Sequence, residues 1–420
     1  MTTSGAAPQT SSPASLTRRL LPLYVAAALQ NFGLWVPIEK LFMSEIGFNA
    51  ATVGVMAAIY AAVVPILEVP SGILADRWSR RGVLMVANAA LMLSALIGGL
   101  SHTVATYMLA AVVLGVFFAM NSGTMEAVVY DTVLEETGGS ASFERRIGRV
   151  RIVESLALVT SALAGGWVAQ LATPRLTYFL TVPFAALSVV VLLAFKEPRL
   201  HKTEKAESMR GHLAVTYRTI TGRGRLLPIA ALVVLTSVLL QAIFEFGPLW
   251  LVALAAPAIL YGPFWAALTS TLGLGGLLAG RLRLDRPAGL AIVVVLLPLT
   301  GLVLTVTRNL AVITLAQVGL GLLVVAVSIH VTRLLHDAVP STIRTGVASG
   351  VSALSWMVFL PFSLVFGLVS RVYGVHVAGW LLTGTALLAG LALVKAARRT
   401  PSAPEPVLDM TVPVAAPVRS

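Results

Sequence analysis

Three glutamates stand inside otherwise apolar stretches of the first half of the chain: Glu68 in PILEVPSG, Glu126 in NSGTMEAVVYD and Glu154 in RVRIVESLAL. A carboxyl group in such surroundings is costly to ionise, and burial or a neighbouring acid raises its affinity for a proton. The chemistry that fits is reversible proton uptake, for which all three are candidates. Ser122, Glu126 and Tyr130 are spaced four apart, which places them on one face of a continuous helix. The competing reading is structural, with Glu154 paired to Arg149 or Arg151 and Glu68 part of the packing around Pro70.

A second set of residues suits binding. Asn31, Trp35 and Glu39 recur at four-residue spacing with Gln30 beside them, and Gln241 and Glu245 lie one turn apart, followed by Phe246 and Trp250. Amides, aromatic rings and an acid together fit a small amphipathic ligand, cations included. Asn31, Trp35, Ser122, Gln241 and Glu245 are therefore candidate cavity residues. The competing reading places the tryptophans, Trp250 above all, in an interfacial aromatic belt, and Glu39 and Lys40 can pair with each other or face water.

Composition sets the elements that must hold these groups. Of the 420 residues, 57% are hydrophobic and only 11% are charged, with mean hydropathy +0.89. Soluble domains carry about 25% charged residues, so the chain reads as a polytopic membrane protein. A crossing helix needs ~20 mostly apolar residues. Twelve segments qualify: 18–40, 48–74, 83–100, 104–132, 147–170, 175–195, 226–254, 258–280, 287–306, 310–335, 345–370 and 374–396. Helices are expected, because lipid leaves backbone polar groups no partner outside their own segment.

The connecting segments support that count. Alternate loops, starting from the N-terminal tail, hold 26 of the 30 Lys and Arg residues; the opposite set holds Lys40, Arg175, Arg308 and Arg371. Basic loops mark the cytoplasmic side, so both termini are expected there. The net charge of +12 is then a topology signal, not a nucleic-acid surface. The chain has no cysteine, which excludes disulfides, thiol catalysis and thiolate metal sites. No clustered His/Asp set, activated nucleophile or phosphate loop is legible, so an enzyme is not expected, nor a metal or cofactor. The expected organisation is a disordered tail (1–15), a six-helix bundle (16–195), a basic cytoplasmic linker (196–225), a second six-helix bundle (226–397) and a disordered tail (398–420).

Between the second and third segments the chain reads Gly72-Ile73-Leu74-Ala75-Asp76-Arg77-Trp78-Ser79-Arg80-Arg81. This resembles the G-x-L-A-D-R-x-G-R-R/K signature of the major facilitator superfamily, with Ser79 in place of the second glycine. A fainter copy without the Asp runs from Gly275 to Arg283 in the second half. The resemblance implies an all-α fold of two six-helix bundles around a cavity lined by helices 1, 4, 7 and 10, working by alternating access and usually as a monomer. It also implies a conformational latch formed by Gly72, Asp76, Arg77, Arg80 and Arg81 against the start of helix 11, where Arg344 stands. EVPSG with ADR, and SGTMEAVVYD in helix 4, are similar to drug-efflux members, implying proton-coupled export from the plasma membrane. Two departures separate this chain from them. Helix 5 keeps only Gly165-Gly166 of the usual glycine motif, and helix 4 lacks the buried Arg of many antiporters. An importer or narrow metabolite carrier on the same fold is the other expectation.

Overall fold

The computed structural model describes residues 13–121, 123–139, 142–198, 226–338 and 344–399. Every regular element among them is helical. In the first half, α1 (Pro13–Gln30) and the short α2 (Glu39–Glu45) together make one crossing, followed by α3 (Ala50–Arg77) and α4 (Arg80–Leu100). The fourth crossing is split into α5 (Val104–Asn121) and α6 (Thr124–Thr137), and α7 (Phe143–Leu171) and α8 (Pro174–Leu193) complete the half. The second half comprises α9 (Leu226–Phe246) with α10 (Pro248–Ala253), α11 (Tyr261–Leu282), α12 (Pro287–Val306), α13 (Leu310–Ala338), α14 (Arg344–Tyr373) and α15 (Val375–Arg399).

These form the twelve expected crossings. Ten are long and apolar enough to span a membrane by length and composition. The other two are the interrupted first crossing and α11, whose run carries Tyr261, Trp265 and the hydroxyls of Thr269, Ser270 and Thr271. Large apolar side chains stand on the outer surface, Leu171 and Leu315 among them at 75% and 71% exposure. A surface of that kind matches lipid, not water.

The first crossing breaks for a local reason. Pro37 has no N–H to give back to the preceding turn, and Gly33 lies just ahead of it. The amide of Leu34, freed by the break, donates to Thr181 Oγ1 on α8 at 3.1 Å. The fourth crossing breaks at Gly123, which has φ +69° in the left-handed region. The turn at Gly123 interrupts the helix just ahead of Glu126. Glu126 and Tyr130 remain together on α6, while Ser122 lies outside the described residues.

The two halves meet backbone to backbone near one end, here called the far end, where α2 and α10 lie. A Cβ placed on Gly54 of α3 would stand 2.4 Å from the Ser363 carbonyl of α14 and 3.0 Å from Gly367 Cα. One placed on Gly166 of α7 would stand 2.9 Å from the Gly262 amide nitrogen of α11. Small residues allow such approach within lipid. The opposite, basic end is tied within the first half by charge. Arg19 reaches Glu135 and Glu136 at 2.7 and 2.5 Å, Arg80 pairs with Asp131, and Arg81 donates to the Phe195 carbonyl at 3.1 Å. The buried Arg146 donates to Thr17 Oγ1 at 2.6 Å.

Candidate functional site

Between the halves lies a cavity of about 410 Å³, lined by α1, the break after it, α2, α3, α4, α5 and α7 from one side and α9, α11 and α14 from the other. Its walls are largely apolar and rich in aromatic rings: Trp35, Tyr60, Phe117 and Phe118 face Phe244, Trp265, Trp356 and Phe359. Tyr60 stacks edge-on against Trp356 across the gap, with ring centroids 5.6 Å apart. That volume and lining fall within the range of small-molecule sites, roughly 300–1,000 Å³.

Few polar atoms enter this apolar space, and several lack partners among the described residues. Gln30 Nε2, Trp35 Nε1, Gln241 Oε1 and Trp265 Nε1 are buried without a hydrogen bond. Buried polar groups ordinarily find partners, so each such atom asks for an explanation. Here all four belong to residues lining one chamber. The break after α1 explains two of them, because it turns Asn31 and Trp35 out of helical register and exposes one side of Gln30 to the cavity. The other side of Gln30 is fixed: Asn88 Nδ2 donates to Gln30 Oε1 at 3.1 Å, and Ser188 donates to Asn88 Oδ1 at 2.7 Å.

At the far end of the cavity sits an ion triad. Lys40 is 3% exposed and places Nζ 2.7 Å from Glu39 and 2.5 Å from Glu245. Glu39 also accepts from the Tyr107 hydroxyl at 3.1 Å, and Tyr107 shares a 2.7 Å hydrogen bond with Tyr178. Trp35 stacks on Tyr178 with centroids 5.4 Å apart. The triad therefore joins α2 of the first half to α9 of the second through one ammonium, within a shell of aromatic rings.

Toward the basic end a second group of the same composition appears. Arg151 pairs with Glu126 of α6 and, at 3.1 Å, with Glu154. Leu158 lines the cavity, and Glu154 and Arg151 precede it by one and two turns on the same face of α7. Glu126 and Arg151 are about half exposed, and Glu154 is mostly covered.

Of the residues singled out from the sequence, Asn31, Trp35, Gln241 and Glu245 all line the cavity. Glu126 and Glu154 are brought together through Arg151, outside its lining. Arg80 and Arg81 bind α6 and the end of α8 within their own half. For Glu68, Gly72, Asp76, Arg77 and Arg344 only the helical course of the backbone is described, and their side chains lie outside the described set. Trp250 does not sit in an interfacial belt: it is fully buried and donates from Nε1 to the Leu304 carbonyl at 3.1 Å. The sequence reading passed over Lys40 as a bridging group, and Tyr107 and Tyr178 altogether. One signal was available for Lys40, since it is the sole lysine on the side otherwise poor in basic residues.

Two six-helix bundles packed around a chamber define the fold of a membrane transporter. The chain belongs to the Major Facilitator Superfamily, whose family model matches residues 20–359. Over 185 residues it is 24% identical to Multidrug resistance protein 1 of Bacillus subtilis (strain 168), a match covering 44% of this chain and 46% of that protein. The aligned part thus spans under half the length of that relative. Among solved structures, the nucleoside transporter NupG superposes with TM-score 0.74 at 12% identity, covering 91% of this chain and 98% of that one. A D-xylose–proton symporter superposes with TM-score 0.67 at 14% identity, covering 90% and 97%. A bacterial homologue of the human lysosomal transporter Spinster, in an inward-facing unoccupied conformation, gives 0.67 at 13% identity and 92% and 96% coverage. At these identities the likeness concerns the fold.

Proposed function

We propose that the protein is a secondary transporter that exports small amphipathic compounds across the plasma membrane in exchange for protons. The observation that carries this reading is the aromatic chamber between the halves, with its four unpartnered polar atoms and a carboxylate at its far end. Such a lining accepts a flat or branched apolar body and offers few obligatory hydrogen bonds, which favours breadth over narrow recognition. The partial match to a protein named for multidrug resistance is in keeping with it.

In this reading the basic end faces the cytoplasm and the monomer is sealed at the far end, so the chamber loads from inside. Glu126 of α6 and Glu154 of α7, joined through Arg151 on the basic-end side of the chamber, take up and release the coupling proton, with Arg151 as their exchangeable partner. Asp76 and Arg344 hold the basic end closed in the opposite state. Asp76→Asn then leaves expression intact and slows turnover.

The test is accumulation of a panel of fluorescent lipophilic compounds in a pump-deficient bacterium. It compares the protein with its Glu126→Gln variant at matched expression, with and without a protonophore. Lower accumulation that needs both the glutamate and the proton gradient supports export by antiport. No change across the panel overturns it in favour of a narrow metabolite carrier or importer.

A further inference from the structure

The far-end triad carries an odd charge. Glu39 and Glu245 bring two negative charges to a buried place where Lys40 brings one positive. The other titratable groups facing it are phenols: Tyr107 donating to Glu39, Tyr178 behind it, and Tyr60 on the cavity wall within electrostatic range of both carboxylates. The two carboxylates are not equivalent. Glu39 is held by Lys40 and by Tyr107, whereas Lys40 is the described partner of Glu245. Glu245 also turns part of its side chain into the chamber, one turn from the unpartnered Oε1 of Gln241. Two acceptors thus face the ligand space, the charged one held by Lys40 and the neutral one, Gln241 Oε1, without a donor among the described residues.

We infer that Lys40 is a built-in stand-in for a cationic substrate, holding at Glu245 the place that an amine on the ligand takes over. The inference rests on the reading of the chamber as a site for amphipathic compounds. A ligand ammonium pairing with Glu245 lets Lys40 fall back on Glu39, which already holds it at 2.7 Å. No buried charge is orphaned by the exchange, the step that would make it prohibitive. The site passes from one net negative charge to none. The tie between α2 and α9 is cut in the same step, because Lys40 is the group that spans it. A neutral ligand of the same shape leaves Lys40 where it is and the far end tied. Lys40 and Glu245 are therefore specificity-determining: they convert the charge of the ligand into release of the far-end gate.

The experiment uses the full chain in lipid nanodiscs and two probes with one body, a dansylamidoalkyl amine and the corresponding alcohol. The double variant Glu39→Gln/Lys40→Met removes the internal competitor together with one acid, leaving Glu245 open. Amine affinity is expected to rise by about 5- to 150-fold, the usual span of a coupling between two sites, with the alcohol unchanged. Glu245→Gln, which keeps the Lys40–Glu39 pair and guards against misfolding of the double variant, is expected to bring the amine down to the alcohol's affinity. The chain has no cysteine, so spin labels at Ser44→Cys and Leu260→Cys report the far end directly. Their separation is expected to grow with the amine and not with the alcohol. Equal changes for both probes in the double variant, or an amine preference that survives Glu245→Gln, overturn the inference while leaving the amphipath reading intact. A wild-type protein that binds neither probe overturns both.

Discussion

Lys40 Nζ stands 2.5 Å from a carboxylate oxygen of Glu245, a residue 205 positions further along the chain. One ammonium thereby fastens the two halves of the molecule inside the membrane. Its removal leaves two carboxylates without a counter-ion in a buried site. Breaking a buried pair from one side costs on the order of 3–5 kcal/mol. Lys40→Met is expected to lower the thermal unfolding midpoint clearly in detergent, and Glu245→Gln to lower it much less, since Lys40 retains Glu39. Equal losses in the two variants would contradict the asymmetry.

The approach of α3 to α14 leaves no room for a side chain. A Cβ at Gly54 meets a carbonyl oxygen at 2.4 Å and neighbouring backbone at 3.0 Å. Gly54→Ala is expected to hold the far end apart and shift the protein toward the opposite state. A thiol introduced at Gln241 would then become reactive to a membrane-impermeant reagent added from the far side, and remain protected where Gly54 is kept.

Asn88 is fully buried, donates to Gln30 and accepts from Ser188. Replacing it by leucine strands Gln30 Oε1, at about 1–3 kcal/mol for an unsatisfied buried group, whereas the Ser188 hydroxyl still donates to the Ala185 carbonyl at 2.7 Å. Adding Ser188→Ala is expected to recover little of the loss, because the Ser188 hydroxyl keeps its Ala185 partner in the single variant. Unfolding in detergent measures the difference.

Glu126 and Arg151 are about half exposed, and pairs of that kind contribute ~0–1 kcal/mol to stability. Glu126→Gln is expected to leave the unfolding midpoint near that of wild type while abolishing acidification-driven exchange in proteoliposomes. A variant with full proton coupling removes Glu126 from the mechanism.

The alternation of basic and non-basic loops and the length of the apolar runs made the twelve crossings legible, because the bilayer imposes both. Asn31, Trp35, Gln241 and Glu245 were legible as cavity residues for a related reason: polar groups in a lipid-embedded helix turn inward. Lys40 was not, since its neighbour Glu39 offers a sufficient local partner and nothing nearby announces Glu245. The break in the fourth crossing was not legible, because periodicity assumes an unbroken helix. Gly123 ends that assumption through its backbone, in a segment whose hydropathy continues without interruption. Tyr107 and Tyr178 read as ordinary apolar-run aromatics, and only the fold brings their hydroxyls into contact.

The glycine seams at the far end have a consequence for the chamber between the halves. Where main chain touches main chain, as at Gly54 with Gly367 and Gly166 with Gly262, there is no side chain whose picosecond-to-nanosecond rotamer hopping would let water thread between the halves. A barrier of that kind stays watertight while the chamber is open on its other side. In the proposed exchange of cargo for protons, such a seam holds ions back between cycles.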